Sequence, residues 1–180
     1  MKLEIFNHWW KSGRVKKEFS PKYKRKLFYE IIKYMDKRQI LALVGLRRTG
    51  KTTLLYQLIQ HLIEQGINPF NILYFSFDEE DVSVEEILDY YEKEILKKDL
   101  SNEKVFLFFD EIQKLNNWED KLKILYDLYP KMKIIVSGSA SINLLFKGKE
   151  TLAGRIFYFY LKAKRVMLLL EGKSDKGVFH

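Results

Sequence analysis

The 180 residues contain no cysteine and three histidines. That excludes a disulfide framework, a thiolate zinc site and a cysteine nucleophile. Three scattered histidines offer no dedicated transition-metal centre. Long apolar runs are also missing. Val105–Phe109 and Val166–Leu170 are strand-length, far short of the ~20 residues a membrane-spanning helix needs. The start, Met1-Lys2-Leu3-Glu4, is mixed in charge with no apolar stretch behind it, so it does not read as a secretory leader. No membrane contact and an intracellular, cytoplasmic location are the expectations. With 47% hydrophobic and 31% charged residues, the chain has the composition of one folded domain plus a short appendage rather than of a disordered segment.

What is present is unevenly placed. Residues 1–38 carry twelve Lys/Arg against four Asp/Glu, which is the whole net charge of +8, while the remainder holds 20 of each sign. Most of the excess lies between Lys11 and Lys26. A concentrated basic segment points to an anionic partner, nucleic acid or an acidic protein surface; the plain alternative is a solvated face.

Along the chain, Ser20-Pro21 reads as N-cap and first position of a helix running to about Arg38, with Tyr23, Leu27, Phe28, Ile31, Ile32 and Met35 as its apolar stripe. Lys22, Lys24, Arg25 and Lys26 then crowd its first turns, where the helix dipole disfavours cations. Ile40–Val44 is an apolar strand. From Gly50 a helix follows with Leu54, Leu55, Leu58, Ile59, Leu62 and Ile63 on one face, stopped by Gly66. Ile72–Phe77 is a second strand. Ser83-Val84-Glu85-Glu86 is a capping box opening a helix. Strand Val105–Phe109, a helix capped by Asn117, strand Met132–Val136, a short helix over Ser141–Phe146 and strand Ile156–Tyr160 complete the pattern. Uniformly apolar strands alternating with helices predict a parallel sheet buried on both faces, a three-layer α/β/α sandwich. The expected organisation is a basic arm and helix (1–38), a core (39–160) and a tail (161–180).

Gly45-Leu46-Arg47-Arg48-Thr49-Gly50-Lys51-Thr52 satisfies G-x-x-x-x-G-K-[ST], directly after a strand and before a helix. The glycines let backbone N–H groups turn toward phosphate oxygens, and the helix start adds its positive end. Lys51 supplies a mobile ammonium for the β- and γ-phosphates. The Thr52 hydroxyl is a Mg²⁺ ligand, and Thr53 closes the loop. The alternative, a chance match in a turn, lacks that strand-and-helix context.

The third apolar strand, Val105–Phe109, delivers Asp110-Glu111 at its C-terminal end, the edge where open parallel sheets bind ligands. Asp110 is suited to hold the Mg²⁺ water shell, and Glu111 to orient or deprotonate the attacking water. Asp110-Glu111-Ile112-Gln113 lacks the glycine of the D-x-x-G in GTP-binding switches, and Leu96-Lys97-Lys98-Asp99 lacks the Asn of their N-K-x-D. Small-molecule kinases usually lack the second carboxylate and carry an arginine-rich lid. Hydrolysis of an adenine nucleotide fits better.

Gly45–Leu55, Asp110-Glu111-Ile112-Gln113, Ser137-Gly138-Ser139 and Leu152-Ala153-Gly154-Arg155 together resemble the archaeal and bacterial AAA-type ATPases over about residues 5–160. The resemblance implies a sheet order 5-1-4-3-2. It implies ATP and Mg²⁺ as ligands, and a γ-phosphate sensor at Ser137 or Ser139; a serine-capped helix start is the alternative for Ser139 or Ser141. It also implies an arginine finger at Arg155, acting in cis or across a subunit contact, against the alternative of a surface arginine.

Asp78 and Glu79 also lie at the ligand edge, where a solvated acidic turn is the plainer account. His8, Trp9 and Trp10 could stack on adenine, though an aromatic pair more often packs an arm onto a core. After Tyr160 the sequence departs from the resemblance. Leu161–His180 is basic, then apolar, with no second domain, so a C-terminally shortened core is expected, with slow turnover and a protein partner or a second copy meeting Val166–Leu170. The function expected is ATP binding, with Mg²⁺-dependent hydrolysis driving a nucleic-acid or protein partner; the alternative is a nucleotide-binding module with little turnover.

Overall fold

A computed structural model describes residues 3–78, 82–139 and 150–162. Its centre is a five-stranded, all-parallel sheet of β1 (Ile40–Gly45), β2 (Ile72–Ser76), β3 (Phe106–Asp110), β4 (Lys133–Ser139) and β5 (Ile156–Leu161). The order β2-β3-β4-β1-β5 is the expected 5-1-4-3-2 read from the other side. The chain steps outward from β1 to β2 and back through β3 to β4. With right-handed crossovers, this puts α4 (Lys51–Glu64) on one face and α5 (Val84–Tyr90) with α6 (Trp118–Leu128) on the other. The fold is the three-layer sandwich.

Residues β1 to β3 are buried along their whole length, as apolar strands covered on both faces must be. The expectation of a doubly buried strand does not hold for β5. It is a sheet edge, with Phe157 and Tyr160 exposed. On α4, Leu54, Leu55, Leu58, Ile59 and Leu62 face the core while Ile63 is half-buried. The capping box at Ser83 and Glu86 is formed in both directions. The side-chain cap expected from Asn117 is not formed: Asn117 takes a left-handed conformation at the start of α6, which asparagine visits more readily than most residues.

The largest departure from the sequence pattern is at residues 20–38. Helix α3 spans only Lys26–Ile31, followed by a 3₁₀ turn over Ile32–Tyr34. The Gln57 amide of α4 donates to the carbonyls of both Pro21 and Tyr23, at 2.8 Å each. Those two bonds tie the segment across α4 as an irregular strap, where the sequence pattern predicted the first turns of a helix. Lys22 and Lys24 are off the helix, which relieves part of the conflict with its dipole, while Arg25 is its N-cap and Lys26 its first residue. Arg25 donates to the Lys162 carbonyl at 3.1 Å, and the Lys24 ammonium sits 4.4 Å from the Phe28 ring centre.

The first residues form two short turns, α1 (Leu3–Phe6) and α2 (Trp9–Ser12). They lie along β2, the other edge of the sheet. Both indoles donate to the Ile72 carbonyl, Trp9 at 3.2 Å and Trp10 at 2.9 Å. Asn7, fully buried, donates to the Tyr74 carbonyl at 2.9 Å and accepts from its N–H at 2.6 Å. The arm occupies backbone groups that an exposed edge strand would offer to another chain. Trp9 and Trp10 are core residues of this junction. The helix read over Ser141–Phe146, the acidic turn beyond Asp78 and the tail including Val166–Leu170 lie outside the described residues.

Below the sheet, at its amino-terminal edge, the buried Lys133 ammonium donates to the carbonyls of Tyr34, Lys37 and Gln39 at 2.9, 2.6 and 2.7 Å. Burial pulls its pKa down, and three charge-assisted bonds oppose that pull. Lys133→Met keeps the apolar stem and removes all three bonds. A loss of about 2–4 kcal/mol in urea denaturation is expected; a loss below about 0.5 kcal/mol would show that water replaces the ammonium at those carbonyls.

Candidate active site

The carboxyl ends of β1, β3 and β4 meet at one edge. Gly45 lies opposite Ser139 of β4 and Leu161 of β5, Leu43 opposite Ser137, and Ser76 of β2 opposite Asp110 of β3. Two glycines shape the loop that leaves β1. A Cβ on Gly45 would stand 2.7 Å from the Leu161 carbonyl oxygen and 2.9 Å from Thr49 Oγ1, and Gly50 has φ +92°. The Thr49 hydroxyl donates to the Leu46 carbonyl at 2.8 Å and pins the turn, while Arg48 takes a left-handed φ of 60°. The first helical bond of α4 runs from Leu54 N–H to the Gly50 carbonyl. The amides of Lys51, Thr52 and Thr53 therefore have no intrahelical acceptor, the arrangement that receives phosphate.

Lys51 is buried. Its ammonium donates to the Gly45 and Leu46 carbonyls at 3.3 Å each and pairs with Glu111 Oε1 at 3.4 Å. Asp110 is buried as well. Its Oδ2 accepts from the Thr52 hydroxyl at 2.6 Å and the Tyr74 hydroxyl at 3.0 Å. Its Oδ1 accepts from the Ser137 hydroxyl and from Glu111 N–H at 3.1 Å. Burial, and then the adjoining Asp110 charge, push the Tyr74 hydroxyl's pKa upward, so it remains a protonated donor. A serine or threonine hydroxyl beside a carboxylate is a hard-oxygen pair of the kind Mg²⁺ accepts. Thr52 and Asp110 fit that ion.

Glu111 stands at a left-handed φ of 52°, a conformation non-glycine residues hold only where surrounding contacts fix it. Its carboxylate takes Lys51 on one side and the Gln113 amide on the other, and the Gln113 carbonyl oxygen accepts from Ser139 N–H at 3.4 Å. Gln113 thus links the second carboxylate to the end of β4.

The structure brings Gly45, Leu46, Arg47, Arg48, Thr49, Gly50, Lys51, Thr52, Thr53, Asp110, Glu111, Ser137 and Ser139 to this edge. Ser137, fully buried, is turned to Asp110, whereas Ser139, half-buried, stands at the strand end beside the loop. Arg155 is not brought there. Its carbonyl accepts from Ile40 N–H at the start of β1, and its side chain pairs with Asp127 at 3.3 Å. A six-residue strand, about 16 Å at ~3.3 Å per residue, separates it from the loop that leaves β1. Contact with phosphate in the same chain is therefore corrected: Arg155 faces away from its own loop. Exposed Asp78 pairs with Lys114 at 3.3 Å. Trp9 and Trp10, buried where the arm meets β2, present no face to a base.

Sequence reasoning missed Tyr74 and Gln57, and named Gln113 within its motif without giving it a role. Gln113 stands two residues after Glu111, so its proximity was visible. Tyr74 and Gln57 act across 36 and 34–36 residues of chain, and no local pattern marks them.

A parallel sheet whose switch point carries a glycine loop, a buried lysine and strand-end carboxylates defines a phosphate-loop nucleotide-binding protein. The AAA domain family matches residues 37–163, and the chain belongs to it. MJ1637 of Methanocaldococcus jannaschii is 38% identical over 150 residues, 78% of this chain and 31% of that protein. A Haemophilus influenzae protein is 32% identical over 117 residues, covering 64% and 29%. The chain thus spans about a third or less of the length of these relatives. Similar folds occur in the Drosophila origin recognition complex bound to AT-rich DNA and Cdc6 (TM-score 0.56, 13% identity, 82% of this chain and 55% of that one). The Caenorhabditis elegans PCH-2 structure is also similar (TM-score 0.52, 17% identity, 88% and 47%). At these identities the likeness is one of fold. Among the described residues no helix is long and apolar enough to cross a membrane.

Gly45→Ala would drive a methyl group against the Leu161 backbone. It is expected to destabilise the fold by about 1–3 kcal/mol, as overpacking does, read as a lower denaturation midpoint. An unchanged midpoint would show that the end of β5 yields without cost.

Proposed function

We propose that the protein binds ATP with Mg²⁺ and hydrolyses it to ADP and phosphate, using Glu111 as the base. The observation that carries this reading is the convergence of Lys51, Thr52, Asp110 and Glu111 at one sheet edge, with Lys51 and Glu111 3.4 Å apart. The loop amides of residues 46–53 and Lys51 hold the phosphates. Their negative charge competes with Glu111 and the loop carbonyls for the Lys51 ammonium, so phosphate binding frees Glu111 to accept a proton. Thr52 and Asp110 would hold Mg²⁺, which when bound would supply positive charge against that developing on the transferred phosphoryl group. Ser139, at the strand end beside the loop, is the better-placed candidate for sensing the γ-phosphate. Ser137 instead positions Asp110. Gln113 keeps the Glu111 carboxylate in place between the loop and β4.

Arg155 acts, in this reading, on the nucleotide of a second copy, because its own loop lies at the opposite edge. The exposed lysines of Lys11–Lys26 meet phosphates of nucleic acid, the target of the energy of hydrolysis; a protein partner is the other outcome. The cytoplasm is the compartment this activity suits.

Glu111→Gln keeps the shape of the side chain and its Gln113 contact but cannot take a proton. ATP affinity should stay within a few-fold while steady-state phosphate release falls about 10²–10⁴-fold, the range of general-base catalysis. Lys51→Ala, by contrast, should abolish binding in calorimetry. Full turnover in Glu111→Gln would overturn the base assignment, and wild-type binding without turnover would favour a nucleotide-binding module instead.

Lys16, Lys17, Lys22 and Lys26 are exposed, and their ammonium groups are the test of the nucleic-acid reading. Affinity for duplex DNA should fall with salt at a log–log slope of about −0.9 per phosphate contact. Changing all four to Gln should flatten that slope. A chain that is not retained on DNA or RNA at low salt would leave the cations to a protein partner or to solvent.

A further inference from the structure

The hydrogen bonds around Asp110 divide by what they can do once a cation is bound. The Thr52 hydroxyl is itself a candidate ligand. It can give a lone pair to a metal while still donating its proton to Asp110 Oδ2, and the Tyr74 hydroxyl at 3.0 Å is the side-chain donor on that oxygen that no ligand role engages. Oδ1 keeps the Ser137 hydroxyl. Two hydroxyls, one on each oxygen and from the strands on either side of β3, fix the plane of the carboxylate. Tyr74 is 3% exposed, so bulk water does not compete for its hydroxyl.

Tyr74 is in turn held from the outside of the sheet. Both its backbone groups are bonded by the Asn7 side chain, at 2.6 and 2.9 Å, and the same amide also donates to the Leu3 carbonyl at 2.8 Å. Its ring lies 4.9 Å from that of Tyr56 on α4, on which Phe19 of the arm stacks at 5.2 Å. Phe6, Phe19, Tyr56 and Tyr74 line, with Asp110 and Glu111, one cavity of about 330 Å³. The arm is thereby part of the wall beside the metal-binding carboxylate.

We propose that Tyr74 is a positioning residue for the Asp110 carboxylate, and that Asn7 of the N-terminal arm sets where Tyr74 stands. This rests on the reading of Thr52 and Asp110 as the Mg²⁺ site. Tyr74 touches neither metal nor nucleotide. It acts by keeping Asp110 from swinging, so that the carboxylate is oriented before the ion arrives. Hydrogen bonds that orient a ligating group typically contribute about 10–100-fold to metal affinity, and this one should lie at the low end because Ser137 remains.

The test uses the full chain with a non-hydrolysable ATP analogue and Mn²⁺ as a paramagnetic stand-in for Mg²⁺. The Mn²⁺ affinity of the nucleotide complex is read by electron paramagnetic resonance. Nucleotide affinity in EDTA and the Mg²⁺ requirement for hydrolysis are measured in parallel. Tyr74→Phe keeps the ring and deletes the hydroxyl. It should weaken Mn²⁺ binding about tenfold, leave metal-free nucleotide affinity within twofold, and raise the Mg²⁺ needed for half-maximal rate, with excess Mg²⁺ restoring the rate. Asn7→Asp, which replaces the amide donor facing the Tyr74 carbonyl with an acceptor, should shift Mn²⁺ affinity in the same direction. An unshifted Mn²⁺ affinity in Tyr74→Phe overturns the proposal, as does a matching loss of metal-free nucleotide affinity, which would mark a merely structural role. If Asn7→Asp alone leaves it unshifted, the arm's part is overturned. Wild-type chain that binds Mn²⁺ and nucleotide but does not hydrolyse ATP would sink the hydrolysis reading while leaving the Tyr74 comparison intact. Wild-type chain that binds no Mn²⁺ in the complex would overturn both.

Discussion

Burying an ionised carboxylate is costly unless donors surround it, and Asp110, 2% exposed, is surrounded from three elements besides its own strand. Thr52 comes from α4, Tyr74 from β2 and Ser137 from β4, with Glu111 N–H completing the set. Without them a charge would be stranded in a medium where the penalty is several kcal/mol, and each one removed weakens the set by about a hydrogen bond to a charged group. The register of β2 on β3 and of β3 on β4, and the placement of α4 at the end of β1, must therefore be right together. Lys51 makes the same demand with the opposite sign, through two loop carbonyls and Glu111. The site is thus preorganised by the same bonds that align the strands, and donors fixed in advance cost no reorganisation when charge develops.

What could be read from the amino acids divides along the range of the interactions involved. The loop from Gly45 to Thr52 and the pair Asp110-Glu111 were legible because each is local: a few consecutive residues between a strand and a helix carry the chemistry. The strands were legible because burial on both faces leaves an unbroken apolar run, and Val105–Phe109 foretold β3 to within a residue. The order of the sheet came from resemblance, not from any run of residues.

The misses are tertiary. Ser20-Pro21 has the chemistry of a helix start, yet the Gln57 amide claims the Pro21 and Tyr23 carbonyls, and a local signal worth about 1 kcal/mol gives way to two bonds across the chain. Arg155 has the right neighbours in sequence but the wrong end of the sheet, because it precedes its strand while the loop follows β1. Tyr74 looks like any aromatic in an apolar strand. Only the pairing of Ser76 with Asp110 reveals that its ring runs beneath the carboxylate.

The basic arm gains a physical meaning from where it is anchored. At one end Asn7, Trp9 and Trp10 bond the edge strand β2. At the other, Pro21 and Tyr23 are bonded by α4, and Arg25 reaches the chain just after β5. Between these anchors the lysines are exposed. A polyanion on those lysines changes nucleotide affinity only to the extent that it binds one position of the arm better than another, and the coupling is then equal in both directions. The two anchors are where such a difference would be felt, one beside Asp110 and the other beside Gly50. Covering the edge of the sheet and carrying the positive charge are therefore tasks of a single segment, and a change in one cannot leave the other's neighbours untouched.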